Sequence, residues 1–224
     1  MSHELPSILI VGASGHGCVV ADIVSAGGQY RIAGFVDARL DHPESACFGP
    51  VLGNETDLPD LLNRHRISQL FVAIGDNWTR KQVVSRIRTA CPAVQFPALI
   101  HPSAIIGMNA EIKEGALICS GSVIGVGASA GAFSILNTRA SLDHHAALGD
   151  FASLAPAAAT GGQAVIEEGT ALGMGAMVHH RIKVGAWSVL GSGSIANRDV
   201  PGGSLAFGCP ARVIRTRTPD ERYL

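Results

Sequence analysis

The sequence predicts an α/β protein in two parts. A small Rossmann-like domain with a parallel sheet covers residues 1–100, and a parallel β-helix of hexapeptide repeats with a C-terminal extension covers residues 101–224. Three observations carry this expectation. A glycine-rich turn follows the first apolar run, strand-type and helix-type segments alternate up to about residue 100, and from Ser103 to Arg198 the chain repeats every six residues without an insertion.

In the first part, Ser7 to Val11 reads as a strand, Gly12-Ala-Ser-Gly-His-Gly17 as a turn, and Cys18 to Ala26 as a helix closed by Gly27-Gly28. Tyr30 to Val36 is the second strand and ends at Asp37; a loop is expected from Ala38 to Pro50. Leu58 to His65 is helical, Gln69 to Ile74 is the third strand, ending in Gly75-Asp76-Asn77, and Thr79 to Thr89 is a charged amphipathic helix. This alternation implies a small parallel sheet.

In the second part, the fourth residue of each hexad is Ile, Leu or Val in thirteen of sixteen cases; Ala130, Thr160 and Ala196 are the others. The second residue is Ala, Ser or Thr in fifteen of sixteen, with Ile182 the exception. One large and one small inward position per six residues fits neither a helix nor a hairpin. It fits a solenoid whose units bury their apolar faces only by stacking. Three hexads make one triangular coil, with the small residue expected to let the chain bend at each corner. Residues eighteen apart then lie one above the other, about 4.8 Å apart. The period leaves the hand of the helix open.

Composition narrows the class. With 47% hydrophobic residues and a net charge of −1, the chain buries one or two cores and offers no basic surface for nucleic acid or an anionic membrane. Cys18, Cys47, Cys91, Cys119 and Cys209 are odd in number and lack CxxC spacing, which suits reduced thiols in a cytoplasmic protein. The segment from Met1 to Pro6 carries Glu4 and no long apolar run, so no signal peptide is expected, and no apolar stretch is long enough for a membrane span.

The glycine turn between the first strand and helix offers backbone N–H groups and a helix dipole to a phosphate. Gly12, Gly15 and Gly17 would give close approach, and Asp37 stands where it contacts a ribose or base. The spacing is not GxGxxG and the domain is short, so a nucleotide diphosphate-sugar suits it better than NAD. His16 either touches pyrophosphate or sugar, or is a solvent-exposed turn residue. In the repeats, Gly162 falls eighteen residues after His144 and His180 eighteen after that. A histidine with a glycine directly above it pairs a general base with a backbone N–H for a developing oxyanion. The alternative is that Asp143, His144, His145, His179 and His180 decorate a solvated face.

Several segments together resemble the nucleotide-aminosugar N-acetyltransferases grouped with sialic acid O-acetyltransferases, including the bacillosamine and perosamine N-acetyltransferases. They are Gly12-Ala-Ser-Gly-His-Gly17 with Val19-Val20-Ala21-Asp22, Phe35-Val36-Asp37, Phe71-Val72-Ala73-Ile74-Gly75-Asp76-Asn77, Ile100-His101-Pro102-Ser103-Ala104, Leu136-Asn137-Thr138, Asp143-His144 and Gly208-Cys-Pro-Ala-Arg212. The resemblance implies a left-handed β-helix, a homotrimer and acetyl-CoA-dependent acetylation of a nucleotide-linked 4-amino-4,6-dideoxy sugar for surface glycan biosynthesis, without a metal. It also implies that His144 is the general base and Gly162 supplies the oxyanion-hole amide, with His145 and Asn137 lining the active site. Ser14, Gly15, His16, Asp37 and Gly75 would contact the nucleotide sugar. Ser153, Met174, Gly191, Ser192 and Gly193 would line the coenzyme A groove between subunits.

Two residues depart from the family pattern. The position after the base is usually acidic and here is His145, so the imidazolium of His144 is less stabilised and activity is expected to survive at lower pH. Ser153 stands where relatives can carry a coenzyme-contacting histidine. Asp143 is a substitute orienting partner for His144, although strand alternation would turn its side chain away. Sialic acid-type O-acetylation remains an alternative. A γ-carbonic-anhydrase-like metal site would use His144 and His180 but finds Gly185 at the third ligand position. A non-catalytic sugar-nucleotide sensor would need only the first domain.

Overall fold

The computed structural model describes residues 5–39 and 48–223 of the 224-residue chain; Cys47 and most of the loop expected from Ala38 to Pro50 lie outside the described residues. The chain forms two compact units, residues 1–75 with 79–102, and residues 76–78 with 103–224.

The first unit is a parallel sheet flanked by helices. Strand β1 (Ser7–Val11) pairs with β2 (Arg31–Val36) on one side, and β2 with β3 (Val51–Gly53). On its other side β1 pairs with β4 (Gln69–Val72), giving the order β3-β2-β1-β4. The chain therefore reverses its direction of winding between β1 and β4, and in open parallel sheets the crevice beyond the strand C-termini at such a reversal is where ligands bind. The sequence missed β3. Three residues on a sheet edge are too few to show an alternation, so the sequence shows no element between the expected loop and the helix at Leu58.

Helix α1 (Gly15–Gly27) begins three residues earlier than expected and takes in Gly15, His16 and Gly17. It buries Val20, Ala21, Ile23 and Val24 and closes at Gly28, left-handed at φ 61°, whose N–H bonds to the Val24 carbonyl. Helix α2 (Leu58–His65) matches its expected bounds, and α3 runs Asn77–Ala90. No helix among the described residues is long and apolar enough to cross a membrane.

The second unit is a triangular β-helix. Its strands are two residues long, and every pairing is parallel and offset by eighteen residues, as in Ser129↔Ala147, Ile135↔Ser153 and Ser141↔Ala159. Three ladders result. The fourth hexad residues from Ile118 to Ala196 point inward and, apart from the buried hydroxyl of Thr160, form an apolar core, while Ile106 on the first coil is 40% exposed. The small second residues are buried inside the corners, but the bend itself comes from the residue before them. Asn109, Phe133, Arg139, His145, Phe151, Ala157, Gln163, Arg181 and Trp187 all take left-handed φ between 55° and 61°, and glycines such as Gly127 and Gly175 do so at other corners. At these corners most of the left-handed residues are not glycine, which hides this feature from the sequence.

The outward residues differ between faces. One face shows Glu111, Ser129, Ala147, Val165 and Lys183. Another shows Ile105, Val123, Ser141, Ala159, Met177 and Ile195 and carries no charge. On it Ile105 is 64% and Met177 48% exposed. After the last coil, the antiparallel hairpin Ser204–Gly208 and Ala211–Thr216 turns through a cis Cys209–Pro210 bond. Residues Asp76–Trp78 belong to this second unit. There the fully buried Asn77 amide donates to the carbonyls of Gly169 and Thr170, and Trp78 meets Trp187 edge to face at 5.3 Å.

Candidate active site

In the first unit, the strand ends at the winding reversal enclose a cavity of about 310 Å³, lined by Gly12, Ser14, Asp37, Glu55, Gly75 and Val83 among others. Its glycines do different work. A Cβ on Gly12 would lie 2.6 Å from the Ala73 carbonyl oxygen, and one on Gly17 would lie 2.3 Å from the Gly12 carbonyl oxygen, so both are set by protein packing. A Cβ on Gly15 would meet no protein atom within 4 Å. Of the three expected to give close approach, only Gly15 faces open space, at the N-terminus of α1 where first-turn N–H groups lack intrahelical partners. Ser14 is the N-cap residue and exposed, with no side-chain capping bond.

Asp37 braces this loop: one carboxylate oxygen accepts the Ala13 N–H at 2.8 Å and the other accepts the Arg39 N–H at 3.0 Å. Arg80, 1% exposed, donates to the carbonyls of Ile74 and Gly75 and so fixes the end of β4. His16 is not an exposed turn residue. Its Nε2 is enclosed with no hydrogen-bond partner, and burial, aided by the Arg80 charge, lowers its pKa to about 4. The side chain is therefore neutral at physiological pH and brings no positive charge to a pyrophosphate.

In the second unit, one edge of the β-helix carries the His144 corner. An imagined Cβ on Gly162 would lie 2.1 Å from His144 Nε2, so the ring stands directly against the α-carbon one coil above, and only glycine leaves it room. No hydrogen bond among the described residues uses the Gly162 N–H. Beneath this pair, the rung joining Ser141–Leu142 to Ala159–Thr160 pairs only at its first residue. The hydroxyl of Thr160, which interrupts the aliphatic ladder, accepts the Asp143 N–H at 3.2 Å, and the Asp143 carboxylate accepts the His144 N–H at 2.7 Å. Asp143 thus orients the His144 backbone and not its imidazole. The imidazole instead meets its neighbour, Nδ1 to Nδ1 of His145 at 3.2 Å. Sequence reasoning missed Thr160; its only signal was a polar residue at a core position.

Asn137, Met174, Ser192 and Gly193 stand at a different edge. Asn137 is absorbed locally, its side-chain oxygen accepting the Thr138 N–H at 2.8 Å. Met174 is 61% exposed and its carbonyl accepts the Gly193 N–H. Gly191 is fixed by packing, since a Cβ there would lie 1.8 Å from the Phe207 ring. Ser153 lies on the adjoining ladder between Ile135 and Ala171. Within one chain, then, His144, His145 and Gly162 come together, whereas Asn137 and the expected coenzyme-contacting residues do not join them. The uncharged face of Ile105, Val123 and Met177 separates the two edges. No group of three His, Cys, Asp or Glu side chains among the described residues could hold a metal ion, so the pair His144 and His180 has no third ligand there.

Comparisons with known proteins bear on the family and the fold. The model of the PglD N-terminal domain family matches residues 7–87. The GDP-perosamine N-acetyltransferase of Caulobacter crescentus, solved as a histidine-to-alanine mutant with CoA and GDP-perosamine, is 33% identical. The match covers 95% of this chain and 99% of that one with a TM-score of 0.87. The chain belongs to the nucleotide-aminosugar N-acetyltransferase family. The acetyltransferase domain of PglB from Neisseria gonorrhoeae, in complex with acetyl coenzyme A, is 30% identical over 94% of this chain and all of that one, with a TM-score of 0.85. The UDP-N-acetylbacillosamine N-acetyltransferase of Bacillus subtilis is 35% identical over 120 residues, about half the length of that curated relative (51%). Membership in this family makes the β-helix left-handed and the fold the one the repeats implied.

Proposed function

We propose that this protein transfers the acetyl group of acetyl-CoA to the amino group of a nucleotide-linked 4-amino-4,6-dideoxy sugar, with His144 as general base. The observation that carries this reading is the seat of His144 Nε2 against Gly162. A base and an amide N–H one coil apart serve the two demands of acyl transfer. Nε2 takes the proton from the attacking nitrogen, and the Gly162 N–H stabilises the thioester carbonyl oxygen as it gains negative charge. The first-turn amides of α1 at Gly15 and His16 receive the pyrophosphate. Asp37 and Gly75 border the cavity for ribose and base.

The separation of the two edges supports a homotrimer. The face carrying Ile105, Val123 and Met177 is apolar, exposed and flanked by His144 on one side and by Met174 and Ser192 on the other. Closing a three-fold ring over these faces buries them and sets the His144 edge of one subunit beside the Met174 edge of the next, making the coenzyme groove. Ser153 and Gly191 to Gly193 belong to that second wall, and Asn137 reaches the site from it.

The test is acetyl-CoA-dependent thiol release with a panel of UDP-, GDP- and dTDP-linked 4-amino-4,6-dideoxy sugars. Turnover with one of them is expected. Turnover only with hydroxyl acceptors such as sialic acids would replace N- by O-acetylation, and nucleotide-sugar binding without any thiol release would make the protein a sensor.

A further inference from the structure

We infer that His145 is the proton-holding partner of the base, so that two imidazoles do here what a histidine and a carboxylate do in related sites. This rests on the assignment of His144 as general base. Nδ1 of His144 lies 3.2 Å from Nδ1 of His145, with the rings 80° apart. Only one of the two nitrogens can carry the shared hydrogen. For Nε2 of His144 to accept a proton, its Nδ1 must hold that hydrogen and donate it, leaving His145 as acceptor at Nδ1 and protonated at Nε2.

The seat of His145 is built for this geometry. Its backbone is left-handed at φ 55° and its N–H is fixed to the Val126 carbonyl at 2.9 Å. A Cβ added to Gly127 on the coil below would come within 3.1 Å of His145 Nε2, so glycine there leaves space for the ring. Few charges face the pair. On its own turn Asp143 has an oxygen committed to the His144 amide; the coil below contributes Val126 and Gly127; the coil above contributes Gly162 and Gln163, whose side-chain oxygen accepts from Arg181.

The proton balance closes without another reactant. As the amine forms its C–N bond to the acetyl carbon, its proton passes to Nε2 of His144 and the Nδ1 hydrogen shifts to His145, which holds the positive charge. When the C–S bond breaks, Nε2–H of His144 protonates the leaving thiolate and the Nδ1 hydrogen returns. Both histidines end as they began.

The test compares His145→Asn with His145→Asp, near-isosteric residues that both tolerate left-handed backbone. Asn can accept the Nδ1 hydrogen bond but cannot take the proton; Asp can stabilise the charge. His145→Asn is expected to lower kcat by about 10-fold or more, and His145→Asp to stay within about 10-fold of the wild type. The acidic limb of kcat/KM should move to higher pH in His145→Asp, because the carboxylate stabilises the His144 imidazolium. Nitrogen-15 NMR of histidine-labelled protein reads the tautomers without any substrate and should find His144 protonated at Nδ1 and His145 at Nε2. Wild-type kcat in His145→Asn, or His144 protonated at Nε2 in the resting protein, would overturn the inference. The NMR result stands whether or not the amino-sugar panel identifies a substrate.

Discussion

At the scale of single residues, Gly162 makes the sharpest prediction. Gly162→Ala inserts a methyl at the position now 2.1 Å from His144 Nε2, so the ring must leave its seat. Thiol release should fall by about 10² or more while the melting temperature changes little, since the displaced His144 ring is exposed and can swing into solvent. His16 makes a prediction about stability. Its pKa is about 4 in the folded chain and near 6.5 unfolded, so between these values the unfolded state binds more protons. Its stabilising contribution is complete above pH 6.5 and is lost as pH falls toward 4, by up to roughly 3 kcal/mol. Denaturant unfolding across that range should be flatter for His16→Gln than for the wild type; parallel curves would contradict it. His16 stood out in the sequence as a motif residue, but its burial did not, because what packs over a turn residue is a tertiary relation that spacing does not carry.

At the scale of elements, the rung between Leu142 and Thr160 shows how the fold yields to the site. Elsewhere the hexad ladder keeps an apolar residue inward, and that regularity makes the coils, their eighteen-residue offset and the His144–Gly162 stack legible in the sequence. The interruption at Thr160 was visible only as an exception, since a hydroxyl accepting an amide from the coil below is a three-dimensional relation. Thr160→Val keeps the shape and removes the acceptor. It should cost about 1 to 3 kcal/mol by leaving the Asp143 N–H unpaired and should also lower kcat, read by thermal unfolding and thiol release on the same preparation. A variant at least as stable and as active as wild type would mean that the hydroxyl is incidental. The edge strand β3 was illegible for the opposite reason, being too short to carry a pattern.

At the scale of the whole molecule, the proposed active site needs two edges from different subunits. Met177→Asp places a charge in the apolar face beside Ile195 and should yield monomers by light scattering together with loss of turnover. Mixed oligomers give a stricter check. His144→Ala and Ser192→Trp, each inactive alone, should regain part of the activity when co-assembled, because some interfaces then pair an intact His144 edge with an intact Ser192 edge. The repeat pattern made the His144 edge legible, while the Met174 edge came from the family resemblance, and inward periodicity says nothing of which outward face is covered.

The measurement that bears most directly on the central claim is kcat for acetyl-CoA-dependent thiol release by His144→Ala beside the wild type, with nucleotide-sugar affinity measured on both. If His144 is the general base, kcat falls by about 10² or more with affinity retained. Undiminished turnover in the variant would show that His144 is not the base and that its seat against Gly162 serves another purpose.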